Sequence, residues 1–297
     1  MQFSYYLYRK HFDVPLVTNH GIWTTRNSII VSLKDDYGRI GKGEIAPLPW
    51  FGSETFEEAL NFCKQYQFAI TPEEISNIPA ELPCCRFAFE SAIFHLTNSL
   101  LDEKLFNFKY SCLLSAGEKA LEQITPDSET FKWKIGVLSS KLEQNIFLHL
   151  VEALPVNSNL RLDANGGLTL EEAKSWLALA DKYSNLIEYI EQPLSPKNLD
   201  LMFILNRDYA TSIALDESVS NYKEMESCLI DEWQGIYIIK PAIFGSIFGL
   251  RQICQKHSVD MVFSSVFETE IGRSMSLYLA QELANPTRAL GYPPKNF

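Results

Sequence analysis

The chain lacks the features that mark several common classes of protein. Its 297 residues include only six cysteines and no C-x-x-C pair, so neither a zinc site nor a disulfide framework is expected. No apolar run reaches the ~18 residues that span a membrane. The first residues also lack the order of a secretory signal peptide. We therefore expect a cytoplasmic protein with reduced thiols.

Basic residues are scarce relative to acidic ones. The chain has 26 lysines and arginines against 37 acidic residues, a formal net charge of −11. Because the acidic residues are spread along the chain, neither nucleic acid nor an anionic membrane is expected as a partner. None of these features predicts an oligomeric state. Hydrophobic residues make up 46% of the chain, which is enough for a large core and two domains.

The first hundred residues have the pattern of a mixed domain. Three segments have the composition of strands, with an Asp-Asp-Tyr-Gly turn before the third: residues 3–12, 28–33 and 39–45. Two segments with helical spacing of apolar residues follow, at 53–66 and 83–100. Strands followed by helices predict an α+β domain, which we assign to residues 1–105.

From residue 106 onward, strand and helix patterns alternate. The strand candidates are residues 110–114, 131–135, 160–162, 187–190, 212–215, 235–239, 259–263 and, more weakly, 288–290. The helix candidates are residues 142–153, 169–183, 197–205, 222–230, 243–256 and 271–283. This alternation predicts an α/β fold, a parallel (β/α) barrel of seven to eight strands over residues 106–297.

A charged residue follows most of these apolar strands. Two lysines, Lys132 and Lys134, lie on the second strand of the barrel. Four further residues follow at intervals of 24 to 29 residues: Asp163, Glu191, Asp216 and Lys240. Active sites of β/α barrels gather at the carboxyl ends of the strands. We therefore predict that these six residues meet at one end of the barrel.

Three of the six residues are carboxylates: Asp163, Glu191 and Asp216. Oxygen ligands without histidine or cysteine suit Mg²⁺ first and Mn²⁺ second, and they argue against zinc. Taken singly, Asp163 and Asp216 can equally cap a following helix. Asp216 is preferred to Glu217 as a ligand, because Glu217 points the opposite way if the strand continues that far. Asn165 is expected to orient one of the ligands.

The lysines provide the other half of the predicted chemistry. An isolated K-x-K pair is typical of a solvated strand edge, but Lys132 and Lys134 lie on a barrel strand, where burial against helices would be costly. The mouth of the lumen is therefore their expected place, with Lys240 across from them. A neighbouring ammonium group, a divalent cation and burial all lower the pKa of a lysine, which can then act as a base. With a metal, this predicts removal of a proton from the carbon beside a carboxylate.

Taken together, these residues resemble the enolase superfamily, in its muconate-lactonising subgroup. The K-x-K pair, the three carboxylates and the second lysine match that subgroup in order and strand position. Two loops are similar to those of the o-succinylbenzoate synthase family: GEIAPLP with the Phe51 and Glu-Thr that follow it, within 43–55, and FSSVFETEIG at 263–272. The resemblance implies an enolase-like fold, in which the first domain caps the barrel.

The resemblance also implies a reaction on a small carboxylate substrate. It is the Mg²⁺-dependent dehydration of 2-succinyl-6-hydroxy-2,4-cyclohexadiene-1-carboxylate to 2-succinylbenzoate, in menaquinone or phylloquinone biosynthesis. Lys134 would remove the proton beside the ring carboxylate and return it when hydroxide leaves. Lys132 would hold that carboxylate and lower the pKa of Lys134, while Lys240 would make a cation–π contact with the other face of the ring. The residues implied to bind the substrate are Phe51, Ser264, Ser265 and Gly291.

Two alternatives remain. An N-acylamino acid racemase or dipeptide epimerase on the same scaffold would use the same lysines and metal. Dipeptide epimerases usually carry an Asp-x-Asp motif after the eighth strand, whereas Gly291-Tyr292-Pro293 stands here and counts against that branch. A barrel that only binds a small acid or a protein would be expected to have lost part of the charged set. All six positions are present, which argues against it.

Overall fold

A computed structural model describes residues 1–18, 21–98 and 106–293. The N-terminal part contains an antiparallel sheet, which we call the capping sheet. Its strands pair in chain order and are β1 (Gln2–Thr18), β2 (Gly21–Lys34) and β3 (Ile40–Ile45). The carboxylate of Asp35 closes the turn before β3 by accepting the N–H groups of Tyr37 and Arg39, each at 2.9 Å. The predicted meander is confirmed.

Three helices follow the capping sheet: α1 (Phe56–Lys64), α2 (Pro72–Ser76) and α3 (Pro83–His95). The two predicted helices correspond to α1 and α3 with shorter limits, and the predicted end at Leu100 lies outside the described residues. Helix α2 was not predicted, because five residues are too few to show a helical period. Glycine lets α3 approach the sheet: a Cβ at Gly43 would lie 1.8 Å from the carbonyl oxygen of Ala88.

The second part of the chain is a parallel sheet that curls into a barrel. Its seven strands are β4 (Cys112–Leu114), β5 (Thr130–Lys134), β6 (Asn159–Asp163), β7 (Ile187–Glu191), β8 (Ile213–Leu215), β9 (Ile236–Ile239) and β10 (Met261–Phe263). The eighth predicted strand is reduced to two bridge residues, Leu290 paired with Tyr110 and Gly291 paired with Ser264. These bridges join the first strand to the last, so the predicted barrel is confirmed.

Helices surround the barrel: α4 (Ser140–Ala153), α5 (Leu170–Ala180), α6 (Leu199–Asp208), α7 (Tyr222–Ile230), α8 (Pro241–Phe244), α9 (Ile247–Lys256) and α10 (Glu270–Leu283). The prediction of a single helix at 243–256 is wrong. Gly245 interrupts it with φ of +107°, a backbone angle that favours glycine, and α8 begins directly after Lys240. Within the described ranges, no helix is both long and apolar enough to cross a membrane.

The outer face of β5 fixes the direction of its lysines. Phe131 and Trp133 are fully buried and point toward the helices, where the Trp133 ring meets Trp176 at 6.3 Å between centroids. Because side chains alternate along a strand, Lys132 and Lys134 must point the other way, into the lumen. Packing of two large aromatic rings therefore determines where the two ammonium groups lie.

Candidate active site

The carboxyl ends of neighbouring strands bring the predicted residues together. Lys134 is paired with Asp163 across β5 and β6, and Asp163 is paired with Glu191 across β6 and β7. Glu191 is in turn paired with Ala214 on β8, two residues before Asp216. The register of three strand pairs thus places one lysine and three carboxylates along the same rim.

Lys132 joins two of the carboxylates. Its ammonium nitrogen donates to Glu191 Oε1 at 2.7 Å and lies 2.9 Å from Asp163 Oδ2. Both carboxylates are almost inaccessible to solvent. Burial opposes the charge of Lys132, but the attraction of Asp163 and Glu191 prevails and raises its pKa well above the usual value. Lys132 is therefore a fixed cation rather than a base.

Lys240 lies on the opposite side of the mouth. Its ammonium group donates to Asp216 Oδ1 and lies 4.2 Å from the centroid of the Phe51 ring, which belongs to the N-terminal domain. Burial raises the pKa of Asp216, although the charge of Lys240 counteracts part of the rise. A cation stacked on an aromatic face is the contact expected between Lys240 and a ring-shaped substrate.

Lys134 differs from both of these lysines. Among the described residues, its ammonium group makes no hydrogen bond and no ion pair, although it is partly buried. It acts on Asp163 through space: burial opposes the charge of that carboxyl, yet Lys132 and Lys134 together lower its pKa. Lys134 is thus the lysine whose nitrogen is left available to a substrate.

The acidic side of the mouth carries more charge than the lysines offset. Glu217 adds a fourth carboxylate, with Oε1 accepting from Asn165 Nδ2 at 3.2 Å. Because β8 ends at Leu215, strand alternation does not extend to Glu217, which faces the cluster rather than away from it. Its buried Oε2 has no hydrogen-bond partner among the described residues. Four carboxylates therefore face three ammonium groups.

This donor set fits a hard divalent cation. It consists of oxygen ligands, and burial together with the nearby charge of Asp163 raises the pKa of Glu191 to about 7, although Lys132 counteracts part of the rise. In the described ranges, no three acidic, histidine or cysteine side chains already converge on one point, because Lys132 and Lys240 lie against the carboxylates. Asn165 orients Asp163 by donating its backbone N–H to Oδ1 at 3.0 Å.

The residues implied to bind the substrate line the same rim. Ser264 and Gly291 form the bridge beside β10, and the Ser264 hydroxyl donates to the Gly291 carbonyl at 3.0 Å. The Ser265 hydroxyl instead donates to Glu268 Oε2 at 2.8 Å. Phe51 lies against Lys240 across the mouth. The structure therefore brings these four residues to the rim of the charged site.

Two residues that hold the site were missed. The buried amide oxygen of Gln192 accepts the N–H groups of Asp216 at 2.9 Å and Ser218 at 3.2 Å, which fixes the loop after β8. Glu143 accepts the N–H groups of Gly136, Val137 and Leu138, and so holds the loop after Lys134. The only signal in the sequence was the position of Gln192 directly after Glu191.

Two family models and several named relatives match this chain. Residues 117–292 match the family described as "Enolase C-terminal domain-like", and residues 1–96 match "MenC, N-terminal domain". The o-succinylbenzoate synthase of Thermosynechococcus vestitus is 37% identical over 98% of this chain and 92% of its own length. That of Edwardsiella ictaluri is 30% identical over 96% of this chain and 88% of its own length.

Solved structures share the fold of this chain. The o-succinylbenzoate synthase of Thermosynechococcus elongatus BP-1, complexed with Mg in the active site, superposes with a TM-score of 0.90 at 35% identity, covering 98% of this chain and 92% of that one. The L-Ala-D/L-Glu epimerase of Bacillus subtilis superposes with a TM-score of 0.79 at 18% identity, covering 99% and 89%. At that lower identity, the likeness concerns the fold alone.

Proposed function

The chain belongs to the o-succinylbenzoate synthase family of the enolase superfamily, and we propose that its barrel mouth dehydrates 2-succinyl-6-hydroxy-2,4-cyclohexadiene-1-carboxylate to 2-succinylbenzoate. It is a lyase of the carbon–oxygen type. The observation that carries the proposal is the meeting of all six charged positions at the carboxyl ends of five strands and loops. The similarity extends over almost the whole chain, so both domains support it.

Lys134 is the proposed base and acid. Its unpaired nitrogen takes the proton from the carbon beside the ring carboxylate, and the electron pair left behind is delocalised into that carboxylate. When the C–OH bond breaks, Lys134 returns the proton to the leaving hydroxide. One C–H and one C–O bond are lost, water is released, and the ring becomes aromatic, which makes the step favourable.

Lys132 and Lys240 have different proposed roles. Lys132 is held as a cation by Asp163 and Glu191, so it can hold the substrate carboxylate beside Lys134. Lys240 faces the other side of the ring, where its charge stabilises the electron-rich intermediate. Phe51 keeps the Lys240 ammonium group at the mouth through their stacking contact.

Asp163, Glu191 and Asp216 are the proposed ligands of Mg²⁺, with Mn²⁺ as a possible substitute. When bound, the divalent cation stabilises negative charge on the substrate carboxylate. Asn165 and Gln192 orient two of these ligands through the hydrogen bonds described above. Ser264, Ser265 and the backbone of Gly291 are proposed to meet the succinyl tail.

We also propose a domain boundary between residues 105 and 106. It falls between the two family matches, the first of which ends at residue 96 and the second of which begins at residue 117.

A cytoplasmic location is proposed as well. All six cysteines lie in the described part of the chain and are free, as expected of a reducing compartment.

Racemisation of N-succinylamino acids is a second candidate activity. Racemisation needs one group to remove a proton from one face of the substrate and another to return a proton to the opposite face. Lys134 on β5 and Lys240 after β9 lie on opposite sides of the mouth, as this requires.

The deciding experiment measures both activities with the Mg²⁺-loaded enzyme. Formation of 2-succinylbenzoate is followed by its absorbance, and racemisation by exchange of the α-proton for deuterium. Absence of 2-succinylbenzoate formation would reject the proposed function.

A further inference from the structure

A buried polar junction connects the capping sheet to the barrel next to the proposed succinyl site. Arg26 on β2 and Glu44 on β3 form one side of it. The other side is the segment after β10, with Glu268, Thr269 and Gly272. The partners lie far apart in sequence, 225 residues in the case of Glu44 and Thr269.

Glu44 caps a barrel helix from the other domain. Its Oε2 atom accepts the backbone N–H of Thr269 at 2.7 Å, the Thr269 hydroxyl and the N–H of Gly272 at 3.2 Å. These are N–H groups at the start of α10, where a negative charge is favourable. Gly272 permits the approach, since a Cβ there would lie 2.9 Å from the same oxygen. The start of α10 is therefore fixed by Glu44.

The residues directly before Thr269 form what we call the serine loop, residues 264–268. Glu268 Oε2 accepts the Ser265 hydroxyl at 2.8 Å and the Val266 N–H at 2.7 Å. Phe267 has φ of +61°, a conformation that is costly for an aromatic residue. Its ring contacts Phe12 and Trp23 of the capping sheet at 5.8 and 5.7 Å between centroids.

The junction is not built for maximal stability. Arg26 Nε and Nη2, Glu44 Oε1 and Glu268 Oε1 are buried, and none has a hydrogen-bond partner among the described residues. Burial opposes these charges, lowering the pKa of Arg26 and raising that of Glu44. Unpaired buried charges cost stability, so direct pairing would serve better if holding the domains together were the only task.

We propose that Glu44 is a positioning residue for the substrate's succinyl tail. From the capping sheet it fixes Thr269 at the start of α10, and with it the serine loop directly before Thr269, whose two serines are the proposed contacts of the tail. This rests on the proposed function, in which Ser264 and Ser265 meet that tail. The ring carboxylate is held on the other side of the mouth, at Lys132, and should be unaffected by Glu44.

The test compares two ligands of the Mg²⁺-loaded enzyme, 2-succinylbenzoate and benzoate, which lacks the tail. We expect Glu44→Ala to weaken binding of 2-succinylbenzoate about three- to tenfold, the size of one lost helix cap, with benzoate unchanged within about twofold. In turnover, KM should rise more than kcat falls. Glu44→Gln keeps an acceptor oxygen and should lie between, and it serves as the test if Glu44→Ala does not fold.

Glu90→Ala is the matched control. Glu90 on α3 caps another barrel helix, accepting the Ile247 N–H at 2.7 Å and the Ser246 hydroxyl at 3.0 Å. These contacts are separated from the serine loop by the whole of α9 and β10, whereas Thr269 directly follows that loop. Loss of the Glu90 side chain should lower stability and leave the ratio of the two dissociation constants unchanged. Equal weakening of both ligands by Glu44→Ala, or the same change of ratio in Glu90→Ala, would overturn the proposal.

A third variant separates this proposal from the proposed function. Ser264→Ala combined with Ser265→Ala removes both hydroxyls of the serine loop. If that variant keeps the wild-type ratio, the loop does not bind the tail and the proposed function is wrong on this point. If it changes the ratio while Glu44→Ala and Glu44→Gln do not, only the role of Glu44 is rejected.

Discussion

The two ends of the barrel carry the same kinds of charged residue in opposite arrangements. Toward the amino ends of the strands, two arginines and two acids form one chain of ion pairs, which we call the floor of the barrel. Arg161 pairs with Glu188 at 2.6 Å, Glu188 with Arg288 at 2.7 Å, and Arg288 with Asp260 at 2.6 Å. Positive and negative groups are equal in number there, and Arg288 pairs with both acids.

At the mouth, the charges do not balance. Lys134 and Glu217 Oε2 lack partners among the described residues, and four carboxylates face three lysines. Such a cluster gains less stability than the floor but leaves a base and anionic oxygens available to ligands. The pairing of charged residues, rather than their presence, therefore distinguishes the site from the scaffold.

The largest expected effect is on activity at the mouth. Lys134→Ala should lower the rate of 2-succinylbenzoate formation by about 10³-fold or more, because it removes the group that moves the proton. Thermal unfolding should be nearly unchanged, since Lys134 has no ion pair to lose among the described residues. Lys141→Ala, on the exposed face of α4, is the control and should retain full activity. Near-normal turnover by Lys134→Ala would contradict its role as base.

Removal of divalent cations should affect the mouth alone. A chelator is expected to lower activity at least about a hundredfold, and added Mg²⁺ should restore it. A second readout is the unfolding temperature, which Mg²⁺ should raise by binding only the folded state. That rise should be absent in Glu191→Ala, which lacks one proposed ligand. A rise of the same size in that variant would place the cation elsewhere.

Local patterns were sufficient to predict the barrel and the charged series. Apolar segments at regular intervals predicted all seven barrel strands to within two residues of their observed limits, and the alternation of side chains on β5 placed both lysines correctly. The eighth strand remained weak because only Leu290 and Gly291 pair, which is too short for a period. The break at Gly245 depends on one backbone angle, which sequence periodicity does not report.

The contacts that organise the site could not be predicted in the same way. Glu44 and Thr269 meet across 225 residues, and Lys132 reaches Glu191 across 59. Glu44 lies in the GEIAPLP loop singled out above, but nothing in that loop predicts that its carboxylate meets the start of α10. The direction of the Glu217 side chain could not be predicted from strand alternation either, since it depends on where β8 ends. Residue types near a site are thus readable from sequence, whereas their pairing requires the fold.

The floor should respond to substitution through stability rather than catalysis. Arg288→Met is expected to lower the free energy of unfolding by about 2–3 kcal/mol. This loss is smaller than for breaking a fully buried pair, because Glu188 still forms its ion pair with Arg161. The value of kcat should be unchanged below the unfolding temperature. Arg251→Met breaks the more exposed pair with Glu282 and should cost under about 1 kcal/mol. Urea denaturation measures both, and equal losses would mean that the floor network has no special weight.

The smallest expected effect is the dependence of floor stability on pH. Burial opposes the charge of Asp260, but Arg288 and Asn285 bond to it and lower its pKa in the folded protein. Its contribution is therefore present above the unfolded pKa of about 3.9 and is lost as pH falls through the folded value. The stability difference between wild type and Asp260→Asn should be about 1 kcal/mol at pH 7, because the carboxylate is one-third exposed, and should shrink in acid. A difference that stays constant down to pH 3 would show that Asp260 stabilises the floor by shape rather than by charge.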